Sequence, residues 1–242
     1  MPKKTPTQSD FPPNLTLTIT PPQPPPPPTR PAPNILLLLH GLGDTSASFT
    51  TFGRALNLPE TTILTLQAPT RLPLDLPGFH WGDDIAFDSQ TGSLDMDAGF
   101  ARATRMLVEV VRGVLVGKCG YALQEIVVLG FGQGGMLGVV LGRELALGGV
   151  VSIGAPYPLS GGVVGVKSRT PVLLVAGRDS GVVGDGAVRR TEGVFEVVEV
   201  ARYARRGDGM PRSREEMLPV MGFLARRLRS WRGVPEGFVE VS

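Results

Sequence analysis

Histidine and cysteine are scarce in this chain of 242 residues: it has two histidines and one cysteine. The single thiol, Cys119, allows no intrachain disulfide and points to a reducing compartment. Both histidines, His40 and His80, lie in the first third of the chain, so no imidazole base exists after position 80. A formal net charge of only +2 gives no reason to expect a nucleic acid or other polyanion as partner. Long apolar runs are missing too. No stretch of about 18 apolar residues is free of polar or glycine interruption, so no membrane-spanning segment is expected. The opening MPKKTPTQSD lacks the apolar core of a secretory signal, and Pro2 stands where N-myristoylation needs glycine. The expectation is a cytoplasmic protein.

Glycine and proline, by contrast, are abundant, at 32 and 23 residues. The prolines gather near the start and the glycines recur inside segments with helical spacing. Each glycine inside a helix costs about 1 kcal/mol relative to alanine, so the composition suggests modest stability. A length of 242 with 42% hydrophobic residues suits one domain with a sizeable core. Residues 1–11 are polar and expected to be disordered, and 12–242 are expected to form one domain. Within it Pro21–Pro33 (PPQPPPPPTRPAP) is an insertion that cannot join a sheet, because a polyproline segment lacks ladder donors. Such a segment is also a candidate protein-binding site of the SH3- or WW-ligand type.

Strand and helix signals alternate along the rest. Leu15, Leu17 and Ile19 alternate with threonine, the period of a half-buried strand. Asn34–Leu39 (NILLLL) is continuously apolar, as expected for a strand covered on both faces. Phe49–Leu56 reads as a helix, Thr62–Gln67 as a strand, and Asp95–Val116 as a helix whose acidic start suits the positive end of a helix dipole. Further strands are expected at Ile126–Gly130, Gly149–Ile153, Pro171–Ala176 and Val194–Val200. Ser213–Trp231 reads as a C-terminal helix opened by an S-x-x-E capping box, with Pro219 kinking it or moving its start to Leu218. The basic cluster Arg226, Arg227, Arg229 and Arg232 falls at its negative end, where a solvated face is expected. This alternation predicts an α/β fold, a mostly parallel central sheet with helices on both faces.

The stretch from Ile126 to Gly142, IVVLGFGQGGMLGVVLG, has the strand–turn–helix layout at which α/β-hydrolases present a nucleophile in the pattern G-x-S-x-G. The serine position holds Gly132, which has no side chain to react. Together with LLLLHGLGDTSASF (36–49) and HWGDDIAFDSQTG (80–92), this stretch resembles the acyl-protein thioesterases, the phospholipase/carboxylesterase branch of the α/β-hydrolases. The resemblance implies an α/β-hydrolase fold and hydrolysis of acyl esters or thioesters by a Ser–Asp–His triad, without a cofactor. Carried over by position, the nucleophile becomes Gly132 (lost), the acid Asp179 (kept) and the histidine Met210 (lost). The oxyanion hole needs only backbone N–H groups, those of Leu42 and Gln133, and survives side-chain changes. His40 and Trp81 fall in the corresponding ligand-binding loops. A hydrolytically dead or severely impaired protein that keeps an acyl or small apolar ligand is therefore expected.

The alternative is an active esterase or thioesterase with a rearranged site, using His40 or His80 as base. Ser46 and Ser180 are alternative hydroxyls without the strand–turn–helix setting, and Phe79 and Trp81 suit the walls of an apolar pocket. Cys119 has no histidine nearby in sequence. The spacing His80-x-x-Asp83-Asp84 fits no zinc-ligand pattern, so no metal is expected.

Overall fold

The computed structural model describes residues 2–26, 30–85, 87, 92, 94–162 and 165–231. The expectations placed on Arg232, on positions 27–29 of the Pro-rich segment and on 86 and 88–91 of the second family stretch lie outside the described residues.

In chain order the elements are β1 (Leu17–Thr20), β2 (Asn34–Leu39), α1 (Ser46–Ala55), β3 (Thr61–Leu66), β4 (Thr70–Arg71), β5 (Phe79–His80), α2 (Ala101–Glu109), β6 (Ile126–Phe131), α3 (Gln133–Glu144), β7 (Gly149–Ile153), β8 (Val172–Ala176), α4 (Asp185–Val194), β9 (Val198–Arg202) and α5 (Arg214–Arg227). Among the described residues seven strands form one sheet in the order β1-β3-β2-β6-β7-β8-β9. Only β1 runs antiparallel. The central strands β2, β6, β7 and β8 are nearly all buried, which is why they read as unbroken apolar runs. Alternate residues feed two cores. Leu37, Val128 and Leu174 face α2 and α3 on one side, and Leu36, Val127 and Leu173 face α1 and α5 on the other. The α/β-hydrolase architecture expected from the sequence is the one observed.

Several local expectations need correction. Residues 2–11 are not a free tail. The Lys4 N–H donates to the Cys119 carbonyl at 3.0 Å, Lys3 Nζ reaches the buried Glu125 carboxylate at 2.7 Å, and Phe11 is buried in the core. A polar stretch with one phenylalanine and two lysines thus finds specific anchors that composition does not show. The acidic residues Asp95 and Asp97 do not open the helix, which starts at Ala101. Its first free N–H groups are capped from a distance: Asp83 accepts from Ala101 at 2.6 Å and Arg102 at 2.7 Å. Asp97 instead accepts the Leu159 N–H at 2.6 Å, tying another loop to this one. From Val110 to Val116 the helix widens into a π-turn, which buries Val110, Val111, Val114 and Leu115 together.

The last strand begins at Val198 rather than Val194, because α4 occupies 185–194. That helix has two glycines and few apolar residues, so its periodicity is weak. Thr191 carries part of its buried face, its hydroxyl donating to the Ala187 carbonyl and accepting the Tyr157 N–H. Ser213 caps α5 by accepting the Glu216 N–H at 3.2 Å, but Glu216 reaches Arg205 and the Arg212 N–H instead of closing the box on Ser213. Pro219 sits on the exposed side of α5 within a continuous helix, where its missing N–H is tolerated.

Candidate active site

The buried parallel strand β6 carries the chain to a sharp bend at Gly132, with φ 50° and ψ −120°, and α3 starts at the next residue. L side chains adopt such a conformation only under strain. The Gly132 N–H donates to the Ile153 carbonyl at 2.9 Å and its carbonyl accepts the Met136 N–H at 3.0 Å, fixing the bend from both sides. The bend is also narrow. A Cβ on Gly130 would overlap the Gly134 carbonyl, and one on Gly134 would lie 2.5 Å from the Leu39 carbonyl oxygen. Gly132 itself has room: among the described residues a Cβ there meets only Met96 Sδ, at 3.6 Å.

Around this bend the structure gathers Gln133, Trp81 and His40, and Gly41, next to Leu42, packs against Phe131. Among the described residues neither the Gln133 nor the Leu42 N–H donates to a backbone carbonyl, so both donors stay available. The Gln133 carboxamide is buried; its Oε1 accepts the Trp81 N–H at 2.7 Å and its Nε2 donates to the Met96 carbonyl at 3.2 Å. One side chain therefore ties the Trp81 loop to the loop that lays Met96 over Gly132. Trp81, fully buried, donates its indole N–H to the His40 carbonyl at 2.8 Å, with the two rings 5.3 Å apart.

His40 is a structural hub. Its Nε2 accepts from the Ala68 N–H at 3.0 Å and lies 2.7 Å from Gln67 Nε2. Gln67 Oε1 already accepts from Ser46, so its nitrogen is the donor. The His40 proton then sits on Nδ1 and goes to the Gly41 carbonyl at 2.8 Å. Both ring nitrogens are committed, which leaves none for abstracting a proton. His80 is the opposite case: it is buried and, among the described residues, no side chain bonds to either ring nitrogen. Burial lowers the pKa of both imidazoles below the ordinary 6.5, and the Arg102 charge lowers that of His80 further. Both are neutral at pH 7. A depressed histidine stabilises the fold above the unfolded value and loses that contribution as pH falls. Urea unfolding should therefore show stability declining below pH 6.5, and His80→Gln should flatten the decline. A profile that stays level down to pH 5 would count against two neutral buried histidines.

The remaining two triad positions lie in the loops after β8 and β9, at the same end of the sheet as Gly132. Neither Asp179 nor Met210 comes within 4 Å of its Cβ position. Asp179 is exposed; its carboxylate lies 3.4 Å from Arg206 and accepts the Gly207 N–H at 3.2 Å. Met210 packs against the α1–α5 core, its carbonyl held by Arg205 at 2.9 Å. The carboxylate turned toward the strand ends is Asp208, which accepts the Gly177 N–H at 2.8 Å and the Ser180 hydroxyl at 2.5 Å. Its Cβ lies 3.2 Å from the Cβ position of Gly154, just after the β7 residue that holds Gly132. Sequence reasoning missed Met96 and Asp208, and weighed Asp83 only as a metal ligand rather than as a helix cap. None sits in a recognisable pattern; Asp208 stands only two residues from the position singled out.

The other nucleophiles are occupied or inert. Ser46 donates to Gln67, Ser180 donates to Asp208, and the buried Cys119 thiol has its pKa raised by burial and so stays protonated. Among the described residues no group of three or more His, Cys, Asp or Glu side chains is placed to hold a metal. No helix among them is long and apolar enough to cross a membrane.

A bend with this geometry, two unspent N–H donors and a mostly parallel sheet agree with the relationship found on comparison. Residues 26–199 match the phospholipase/carboxylesterase family. The chain belongs to this family. A hydrolase of Schizosaccharomyces pombe is 36% identical over 149 residues, covering 58% of this chain and 61% of that protein. Acyl-protein thioesterase 1 of Mycosarcoma maydis is 27% identical over 154 residues, covering 57% and 64%. The aligned part thus spans less than two thirds of the length of these relatives. Among solved structures, Zea mays acyl-protein thioesterase 2 superposes with a TM-score of 0.65 at 19% identity, covering 88% of this chain and 99% of that one. Esterase PE8 gives 0.67 at 18% identity with the same coverage. These two likenesses establish the fold of the phospholipase/carboxylesterase family and nothing finer.

Proposed function

We propose that this member of the phospholipase/carboxylesterase family binds an acyl or other small apolar ligand beside the Gly132 bend without hydrolysing an ester or thioester. The observation that carries this reading is the bend itself: it keeps the strained backbone and the donors of Gln133 and Leu42, and offers no side chain at its apex. Losing a serine nucleophile alone costs about a million-fold in a related catalytic logic. The base position is filled by Met210, and His40 has no free nitrogen. A carbonyl or carboxylate oxygen held by two N–H groups is what remains chemically, with the Met96 thioether and Trp81 as apolar surroundings.

The test is a pair of measurements on the purified chain. Turnover of p-nitrophenyl octanoate should not exceed the protein-free rate. Octanamide, which resists hydrolysis, should bind saturably, and Met96→Trp should abolish that binding by filling the space over Gly132. Robust turnover would overturn the proposal.

One observation favours a second reading, an active esterase with a rearranged site. Among the described residues the buried, neutral His80 has no side-chain hydrogen-bond partner at either ring nitrogen, and it adjoins Trp81, whose N–H is held by Gln133. Turnover that disappears in His80→Gln, with the fold retained, would establish this alternative.

A further inference from the structure

Among the described residues a cavity lies away from Gly132, at the opposite end of the sheet. It measures about 410 Å³ and sits between the end of β1, the start of β3, the last turn of α1 and the first residues of the Pro-rich segment. Its walls are Ile19, Pro21, Pro22, Leu58 and Ile63, and Arg54 stands at its rim. Pro21 and Pro22, the first residues of the Pro-rich segment, thus form part of one wall.

Three features show what this place lacks. The first is main-chain pairing. β1 is the edge of the sheet, and its Thr16 carbonyl accepts the Gln67 N–H at 2.9 Å. With Leu17 opposite Leu66, the inward-bonding residues are Thr16, Thr18 and Thr20, so the N–H and carbonyl groups of Leu17 and Ile19 point to the open edge. Among the described residues no backbone group pairs with them there. The second is the Thr20 hydroxyl, buried at the cavity without a hydrogen-bond partner among the described residues. The third is charge. The Arg54 side chain is exposed and has no ion-pair or hydrogen-bond partner among the described residues, and no acidic residue lines the cavity.

An occupant must supply donors and acceptors alternately along β1, an apolar group for the cavity and a negative charge for Arg54. A fatty acid provides the last two but no donors for the Ile19 edge. An extended peptide provides all three. We infer that β1 and this cavity dock a peptide segment in β conformation, with an aliphatic side chain in the cavity and an acidic residue against Arg54. Main-chain bonds to the edge supply affinity and the cavity supplies selectivity, the logic of strand addition. The surface is independent of the Gly132 site, so it stands or falls separately from the reading above.

The probe is the acetylated, amidated peptide Glu-Thr-Ile-Thr-Ile-Thr-Glu, which places both isoleucines and both acids on one face whichever way it runs. Fluorescence anisotropy of a labelled copy should show saturable binding to the full chain. Arg54→Glu, at an exposed side chain without a partner among the described residues, should weaken it about tenfold or more while leaving the thermal midpoint unchanged. N-methylation of the central residues of the peptide should abolish binding, because a methylated amide cannot donate. Met96→Trp should have no effect. The inference is overturned if no binding occurs at millimolar peptide, or if a lysine-flanked version binds equally well. Concentration-dependent self-association that Ile19→Pro removes would overturn it as well, by assigning the edge to a second copy of the chain.

Discussion

Gly134→Ala is expected to leave no folded protein. The added methyl group would sit 2.5 Å from the Leu39 carbonyl oxygen and would also overlap the His40 carbonyl, and neither is the end of a flexible side chain. Both belong to backbone at the end of β2, which is bonded to β3 on one side and β6 on the other. Relief requires moving a central strand or lifting α3 off the sheet. Overpacking of this kind exceeds about 4 kcal/mol, and a domain has only about 5–15 kcal/mol in total. The matched control is Gly186→Ala in α4, where a Cβ meets nothing within 4 Å. That variant should gain about 0.5–1 kcal/mol, the ordinary helix preference for alanine. Soluble yield, far-UV circular dichroism and urea midpoints of the two variants decide the matter. A Gly134→Ala protein as stable as the parent would show that the bend is not packed as described.

The contrast between these two glycines also explains what the sequence disclosed. Its glycine content suggests a loose, unstable set of helices. In α3, however, Gly134, Gly135, Gly138 and Gly142 each face a strand or its end so closely that a Cβ would crowd it. Those glycines set the distance between helix and sheet, while Gly186 and Gly193 in α4 do nothing of the kind. Composition counts both classes alike. The central strands were legible because burial on both faces demands unbroken apolar runs, and β2 and β7 begin and end where those runs do. The bend was legible because its steric demands can be met only by small residues at fixed spacing.

What stayed hidden depends on partners distant in sequence. The cap of α2 comes from Asp83, 18 residues before Ala101, and the anchor of the N-terminal residues is Glu125. The carboxylate near the strand ends is Asp208, although Asp179 sits at the expected position in the chain. Side-chain direction at the tip of a loop is set by hydrogen bonds to other loops, and no local pattern records it. Met96 over Gly132 belongs to the same class of contact.

Gly132→Ser should fold, lose about 1–3 kcal/mol of stability and remain without esterase activity. The stability cost follows from placing an L side chain at φ 50°. Folding survives because the new Cβ meets only Met96 Sδ at 3.6 Å, an ordinary contact with a movable side chain. The hydroxyl would lack a base: His40 spends both nitrogens on Gly41, Gln67 and Ala68, and Met210 has no basic atom. A serine without its histidine forgoes about a million-fold in rate. Adding Met210→His places an imidazole two residues from Asp208, a carboxylate already fixed by Gly177 and Ser180. This double variant should be the first to exceed background with p-nitrophenyl octanoate, and Asp208→Ala in that setting should remove the gain while Asp179→Ala should not. If the single variant already turns over substrate and His80→Gln silences it, His80 is the base and the family's catalytic geometry has been rebuilt around a different imidazole.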